Sequence, residues 1–130
     1  MTARLDAIGL VVADMARSLA FYRALGLDIP AAADSETHVE VALSGSLRLM
    51  FDTAEEVRSM DAAWSPAKGG PPISLAFLCD SPEDVDRLYS ELVQAGFNGH
   101  LEPWDAPWGQ RYATIRDPDG NGVDLFARLG

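Results

Sequence analysis

The stretch that decides the fold is residues 107–126, PWGQRYATIRDPDGNGVDLF. Apolar residues alternate on both sides of DPDGN, which predicts two antiparallel strands joined by a tight polar turn. Asp117 and Asp119 favour such a turn, and Gly120 permits a positive φ angle. Asp124 lies in the second strand. This hairpin either contributes an acid to a metal-dependent active site or forms a wall of a pocket that only binds a ligand.

The first half of the chain predicts a strand, a helix and three further strands. Asp14 suits the N-cap of the helix and Gly26 suits its end. Met15, Leu19 and Tyr22 recur between them at helical spacing. The predicted strands are residues 5–12, a weaker one near 27–31, and a hairpin of 38–43 and 47–52.

The second half repeats this order of elements. Asp80 lies 66 residues after Asp14, and Gly96 lies 70 residues after Gly26. Offsets this similar indicate a duplicated βαβββ unit. The predicted strands of this half are residues 73–79, 99–102, 110–116 and 123–127.

The segment between the halves has a different composition. Thr53 and Glu56 form a capping box that predicts a short helix, and SPAKGGPP at residues 65–72 is typical of a linker. The predicted organisation is a single domain, residues 1–130, made of module 1–52, linker 53–72 and module 73–130.

Composition narrows the class of function. The formal net charge of −10 argues against binding to nucleic acid or to anionic membranes, and it is compatible with a cationic ligand. No apolar run approaches the roughly 20 residues that span a bilayer, and the first residues do not resemble a secretory signal. A single cysteine, Cys79, excludes an internal disulfide and favours the cytoplasm. Cys79 lies in an apolar run and is interpreted as a small buried hydrophobe.

Two segments carry a resemblance to a known family: LDAIGLVVADMARSLAFYRALGL at residues 5–27 and PWGQRYATIRDPDGNGVDLF at residues 107–126. With them the chain resembles the vicinal oxygen chelate superfamily, which includes glyoxalase I, extradiol dioxygenases and bleomycin-resistance proteins. The second segment is most similar to the bleomycin-resistance branch. The resemblance implies an α+β fold of two tandem βαβββ modules, whose curved mixed sheets enclose a cleft. It also implies a homodimer.

The resemblance also implies where a metal would bind. Enzymes of the family usually hold a divalent ion with four side chains, typically His or Gln, Glu, His and Glu. The matching positions in this chain are Ala7, Arg48 or Met50, Ser74 and Asp124. Alanine offers no ligand atom, arginine repels a cation, and serine and methionine are poor ligands for a hard divalent metal. We therefore expect no metal and no cofactor.

Two enzymatic alternatives remain open. His38, Glu40 and Asp124 could form a displaced metal site, since residues i and i+2 share a face of a strand. A metal-free isomerase could instead use Asp124 or Glu40 as its base. Either would make the protein a glyoxalase-like lyase, an isomerase or a dioxygenase.

Strand alternation predicts which side chains face away from the helices. The residues on these faces are small, polar and aromatic, which is typical of a ligand-binding surface, although a solvated sheet face would look the same. Three tryptophans in segments predicted to be irregular, Trp64, Trp104 and Trp108, could stack on a flat or cationic ligand, or could fill a loop or a dimer seam. The expected ligand-binding residues are His38, Glu40, Met50, Trp64, Trp104, Trp108, Tyr112, Asp124 and Phe126.

These observations favour a binding protein of the bleomycin-resistance type over an enzyme. It would sequester a hydrophobic or cationic aromatic small molecule without metal catalysis, and antibiotic resistance is the role that the resemblance implies. The expected partners are this ligand and a second copy of the chain, with no nucleic acid and no membrane.

Overall fold

The computed structural model describes residues 4–66 and 73–130. The chain divides after Pro66 into two compact units, each with one β-sheet and helices. The α+β class predicted from the sequence is confirmed. Part of the SPAKGGPP segment, residues 67–72, lies outside the described residues. In the described parts of the chain, no helix has the length and hydropathy needed to cross a membrane.

The first unit contains a three-stranded sheet in the order β1-β3-β2, with β1 parallel and β2 antiparallel to β3. Its elements are β1 (Ala7–Val12), α1 (Met15–Ala24), a 3₁₀ helix (Ala31–Ser35), β2 (His38–Ala42), β3 (Arg48–Thr53) and α2 (Ala54–Met60).

Helix α1 begins and ends where the sequence predicts. The Asp14 carboxylate accepts a hydrogen bond from the Arg17 backbone N–H at 3.1 Å, and Gly26 follows the helix at a φ of 104°. Its apolar side packs on the sheet, where the Tyr22 ring lies 5.2 Å from the Phe51 ring. Both side chains are fully buried, and they anchor α1 to one face of the sheet.

The predicted strand near residues 27–31 is wrong. Residues 27–30 form an irregular segment, and a 3₁₀ helix, Ala31–Ser35, follows it with Pro30 as its N-cap. Proline has no N–H to donate to a ladder, and the Arg23 guanidinium donates to the carbonyls of Ile29 and Pro30 at 2.7 Å each. The Ile29 and Pro30 carbonyls and the missing Pro30 N–H are therefore not available to a strand ladder. Residues 4–66 thus contain one strand fewer than a βαβββ unit.

The second unit is a complete βαβββ unit with the sheet order β4-β7-β6-β5. Strand β4 is parallel to β7, and the other neighbours are antiparallel. Its elements are β4 (Ser74–Leu78), α3 (Pro82–Gln94), β5 (Asn98–Ala106), β6 (Gln110–Arg116) and β7 (Gly122–Arg128).

The turn between β6 and β7 is held by Asp117, which is 3 % exposed. Its carboxylate accepts backbone hydrogen bonds from Asp119 and Asn121, both at 2.9 Å. Gly120 has a φ of 87°, as its place in the turn predicts. The turn fixes the register so that Thr114 lies opposite Asp124.

Strand β5 is longer than predicted and includes Trp104, which was expected in an irregular segment. The register of β5 against β6 shifts between Gly99 and Leu101 and again between Leu101 and Trp104. Such bulges tolerate a proline at the edge of a sheet, and Pro103 lies within the second one. The proline therefore does not end the strand.

Burial confirms the predicted alternation of faces. Side chains expected under the helices are buried in the central strands, and their neighbours in sequence are half-buried or exposed. The buried apolar side chains of β2, β3, β6 and β7 are Val39, Val41, Leu49, Phe51, Ala113, Ile115, Val123, Leu125 and Ala127. Cys79 is half-buried just after β4, and burial raises the pKa of its thiol.

Candidate functional site

The face of the second sheet that carries no helix is organised in rows of directly opposed residues. One row, here called the aromatic row, crosses all four strands. It consists of Leu78, Phe126, Tyr112 and Trp104 on the strands, together with Trp108 of the β5–β6 turn, whose ring contacts two of them. The next row, here called the carboxylate row, runs parallel to it and consists of Ala76, Asp124, Thr114 and Leu101.

The aromatic row is a continuous set of ring contacts. Tyr112 stacks on Phe126 with centroids 6.3 Å apart. Trp108, from the β5–β6 turn, makes edge-to-face contacts with Tyr112 at 5.3 Å and with Trp104 at 5.6 Å. The indole N–H of Trp108 donates to the side-chain oxygen of Gln110 at 2.9 Å. Four rings are thus held in defined orientations along one surface.

This row remains open to solvent. Trp108 is 57 % exposed, Trp104 40 % and Leu78 60 %. Exposed large apolar side chains that lie together often mark a binding surface, whereas single ones carry no such meaning. The aromatic row is therefore the part of the second unit best suited to contact a flat apolar group.

The carboxylate row is built around Asp124. The Tyr112 hydroxyl donates to one carboxylate oxygen at 2.6 Å, and the Thr114 hydroxyl donates to the other at 2.9 Å. Burial and the hydrogen bond to Asp124 raise the pKa of Tyr112 to about 12. The phenol therefore keeps its proton at physiological pH and acts as a donor to the carboxylate.

The open face of the first sheet carries charges instead of rings. His38 lies opposite Asp52 across β2 and β3, and Glu40 lies opposite Met50. His38 Nδ1 is 2.6 Å from an Asp52 oxygen, and its Nε2 is 2.8 Å from a Glu40 oxygen. Arg48 then donates to Glu40 and, at 2.7 Å, to Asp6. A chain of alternating charges thus crosses this sheet.

These contacts favour the charged form of His38. Both ring nitrogens face carboxylates, and only the imidazolium form can donate from both. The hydrogen bonds to Glu40 and then Asp52 raise the pKa of His38 above its usual value, and the bonds from His38 and Arg48 lower the pKa of Glu40. Because the His38 and Glu40 side chains are 42% and 41% exposed, their ion pair contributes little to stability.

The side chains at the positions where the family binds its metal are not suited to form a metal site. The third residue of β1, Gly9, pairs with Met50, as the third residue of β4, Ala76, pairs with Asp124. The position equivalent to Asp124 is therefore Met50 rather than Arg48. At the matching positions the first module then offers only the thioether of Met50, and the second offers Asp124 and the weak ligand Ser74.

No group of three His, Cys, Asp or Glu side chains suitable for a metal occurs within residues 4–66 and 73–130. Both ring nitrogens of His38 already face carboxylates. These residues do not fit the family's metal.

The residues expected to bind a ligand fall into three places. His38, Glu40 and Met50 lie on the open face of the first sheet. Trp64 follows α2, outside both sheets, with the Arg58 guanidinium 5.2 Å from its ring centroid. The structure brings the remaining members together on the open face of the second sheet: Trp104, Trp108, Tyr112, Asp124 and Phe126.

Thr114 was not among the expected site residues, although it holds one oxygen of Asp124. A signal for it is present in the sequence. Asp117 and Asn121 close the turn, and counting outward from them pairs Thr114 with Asp124. Arg48 and Asp52 were likewise missed as partners of Glu40 and His38.

Comparison with known proteins agrees with this geometry. The model of the Glyoxalase/Bleomycin resistance protein/Dioxygenase superfamily matches residues 4–125. A curated relative, the uncharacterized protein YraH of Bacillus subtilis (strain 168), is 30% identical over 126 residues, covering 94% of this chain and 96% of the relative.

Solved structures show the same fold at lower identity. A glyoxalase/bleomycin resistance protein/dioxygenase family enzyme from Burkholderia phytofirmans PsJN has a TM-score of 0.81 at 23% identity, covering 98% of this chain and 100% of that one. The hypothetical protein SA1046 from S. aureus has a TM-score of 0.78 at 21% identity, covering 98% and 94%. This chain belongs to the Glyoxalase/Bleomycin resistance protein/Dioxygenase superfamily.

Proposed function

We propose that the protein binds and sequesters a hydrophobic or cationic aromatic small molecule on the open face of the second sheet. The observation that carries this proposal is the aromatic row, in which Trp104, Trp108, Tyr112 and Phe126 form consecutive ring contacts beside a carboxylate. Antibiotic resistance by sequestration is one role that such binding would serve.

The energetics favour a flat ligand. Each aromatic contact contributes about 0.5–1.5 kcal/mol beyond its buried area, and a cation over a ring contributes a similar amount or more. Two or three such contacts give a useful affinity without any covalent or metal chemistry. Because the rings already contact one another, little side-chain freedom is lost when a ligand arrives.

A binding experiment with 9-aminoacridine, a flat cationic fluorophore, tests the proposal. Fluorescence anisotropy should show saturable binding, weakened about threefold to tenfold in Trp104→Ala and in Trp108→Ala through loss of one ring contact each. Phe77→Leu is the matched control, because it removes one ring from the face of β4 opposite the aromatic row. It should leave the affinity unchanged. Equal affinity in all four proteins, or no saturable binding, contradicts the proposal.

The second candidate is an enzyme that uses Asp124 as an acid–base group, and the hydroxyls of Tyr112 and Thr114 at its carboxylate favour this position over Glu40. The binding protein and the enzyme differ in what happens to the bound molecule. A sequestering protein returns its ligand chemically unchanged, whereas an enzyme converts it. Chromatography of the bound molecule after prolonged incubation separates the two.

A further inference from the structure

The hydrogen bonds around Asp124 have a direction. A carboxylate only accepts, so the hydroxyl protons of Tyr112 and Thr114 must point to it. Each hydroxyl oxygen then has only lone pairs left for a further partner, and each carboxylate oxygen keeps acceptor capacity beyond the bond it already has. These three side chains therefore present hydrogen-bond acceptors and no free proton.

The neighbours in the carboxylate row add no donor. Ala76 and Leu101, which flank Asp124 and Thr114 in the row, have apolar side chains. Arg116 lies two residues after Thr114 on β6, but its guanidinium contacts other groups. It is 3.4 Å from the Gly120 carbonyl and 3.4 Å from the His100 ring. A group bound to this row must supply both the protons and the positive charge.

We propose that the ligand's charged group is a protonated primary or secondary amine, held by Asp124, Tyr112 and Thr114 while its flat ring lies on the aromatic row. This inference rests on the proposed function and narrows the class of ligand. A quaternary ammonium has no N–H to donate, and a carboxylate or phosphate would be repelled.

The spacing of the two rows limits the ligand further. Residues i and i+2 on one face of a strand lie about 6.8 Å apart, and Tyr112 and Thr114 stand in this relation. An ethylamine chain on an indole or phenyl ring covers a distance of this order. Arylethylamines therefore match the spacing between ring contact and carboxylate.

Three indoles of nearly equal ring area test the inference: tryptamine, its N,N,N-trimethyl derivative and neutral 3-ethylindole. Calorimetric titration of the intact protein at pH 7 should give at least about tenfold tighter binding of tryptamine than of the other two, as expected for charge-assisted hydrogen bonds. Asp124→Asn should remove this preference and leave the affinity for 3-ethylindole within twofold. Thr114→Val should reduce the preference in part.

Asp105→Asn is the control, since it removes the same charge from β5 at a side chain that pairs with Arg111 rather than with the row. It should keep the preference for tryptamine. Equal affinities of the three indoles, all weakened by Trp104→Ala, overturn the amine assignment and leave the aromatic row as a binding surface. Absence of binding by every indole, or indifference of all three to Trp104→Ala, counts against the binding surface itself.

Discussion

At the scale of single residues, the two carboxylates beside His38 favour the protonated form of its ring. We expect its pKa, measured from the imidazole signals in an NMR titration, to lie above the usual value of about 6.5. Asp52→Asn should lower this pKa, because it replaces the charged carboxylate at Nδ1 with a neutral amide that favours the imidazolium less. The same charge change in the other unit, Asp105→Asn, should not. A His38 pKa at or below 6.5 in the native protein would contradict the contacts of both ring nitrogens with carboxylates.

The contacts of His38 with Glu40 and Asp52 also have a defined effect on stability. A group whose pKa is raised by folding stabilises the native state fully below its unfolded pKa, and this contribution is lost as the pH rises through its folded pKa. The difference in unfolding free energy between the native protein and His38→Gln should therefore shrink from about pH 6.5 upward. The effect is small since the His38 side chain is 42% exposed.

Side-chain partnerships were the least predictable feature from the sequence. Alternation placed His38, Glu40 and Asp52 on one strand face, and burial agrees. Their mutual contacts depend on the register of β2 against β3, which a pattern of apolar residues does not specify by itself. The pairing of Thr114 with Asp124 was accessible, because a recognisable turn sets that register.

At the scale of elements, the contact between α3 and β5 depends on a glycine. A methyl group on Gly99 would lie 2.3 Å from the Tyr89 hydroxyl oxygen and 3.1 Å from a Val93 methyl. We expect Gly99→Ala to destabilise the protein by about 1–3 kcal/mol through overpacking, measured by urea denaturation. This contact lies on the helix side of the sheet, so the ring contacts of the aromatic row should persist in the folded variant.

Gly9→Ala is the matched control for this substitution. In β1 the added methyl would lie 3.9 Å from the Met50 methyl carbon, an ordinary contact distance, and stability should change little. In a Tyr89→Ala background the Gly99→Ala change should cost less than it does alone, because the hydroxyl and ring carbon that obstruct the methyl are gone. Native-like stability of Gly99→Ala alone would mean that the Tyr89 ring does not rest on β5.

Element boundaries show where sequence reasoning succeeds. Helices with side-chain caps, such as those begun by Asp14, Thr53 and Ser81, are located correctly because the cap is a local signal. The prediction of a weak strand near residues 27–31 is wrong because the Arg23 side chain donates a hydrogen bond to a carbonyl of this segment. The predicted end of β5 is too early because the bulges accommodate Pro103, a residue type that usually ends a strand.

At the scale of the whole molecule, the two sheets present different chemistry from one repeated plan. The aromatic row has ring partners where the equivalent strands of the first unit have His38 and Asp52. Duplication thus supplies the scaffold, and substitution on the open faces supplies any ligand preference. The homodimer, the cytoplasmic location and the division of the chain into modules and linker stay predictions from the sequence.

The charge of the whole chain should affect which ligands arrive. With 20 acidic and 10 basic side chains, the protein surrounds itself with a negative potential that concentrates cations near its surface. The Debye length falls from about 30 Å at 0.01 M salt to about 3 Å at 1 M. We therefore expect sodium chloride to weaken tryptamine binding several-fold over this range. The affinity of 3-ethylindole, which carries no charge, should not fall with it; parallel loss for both indoles would show that salt acts on the protein rather than through its field.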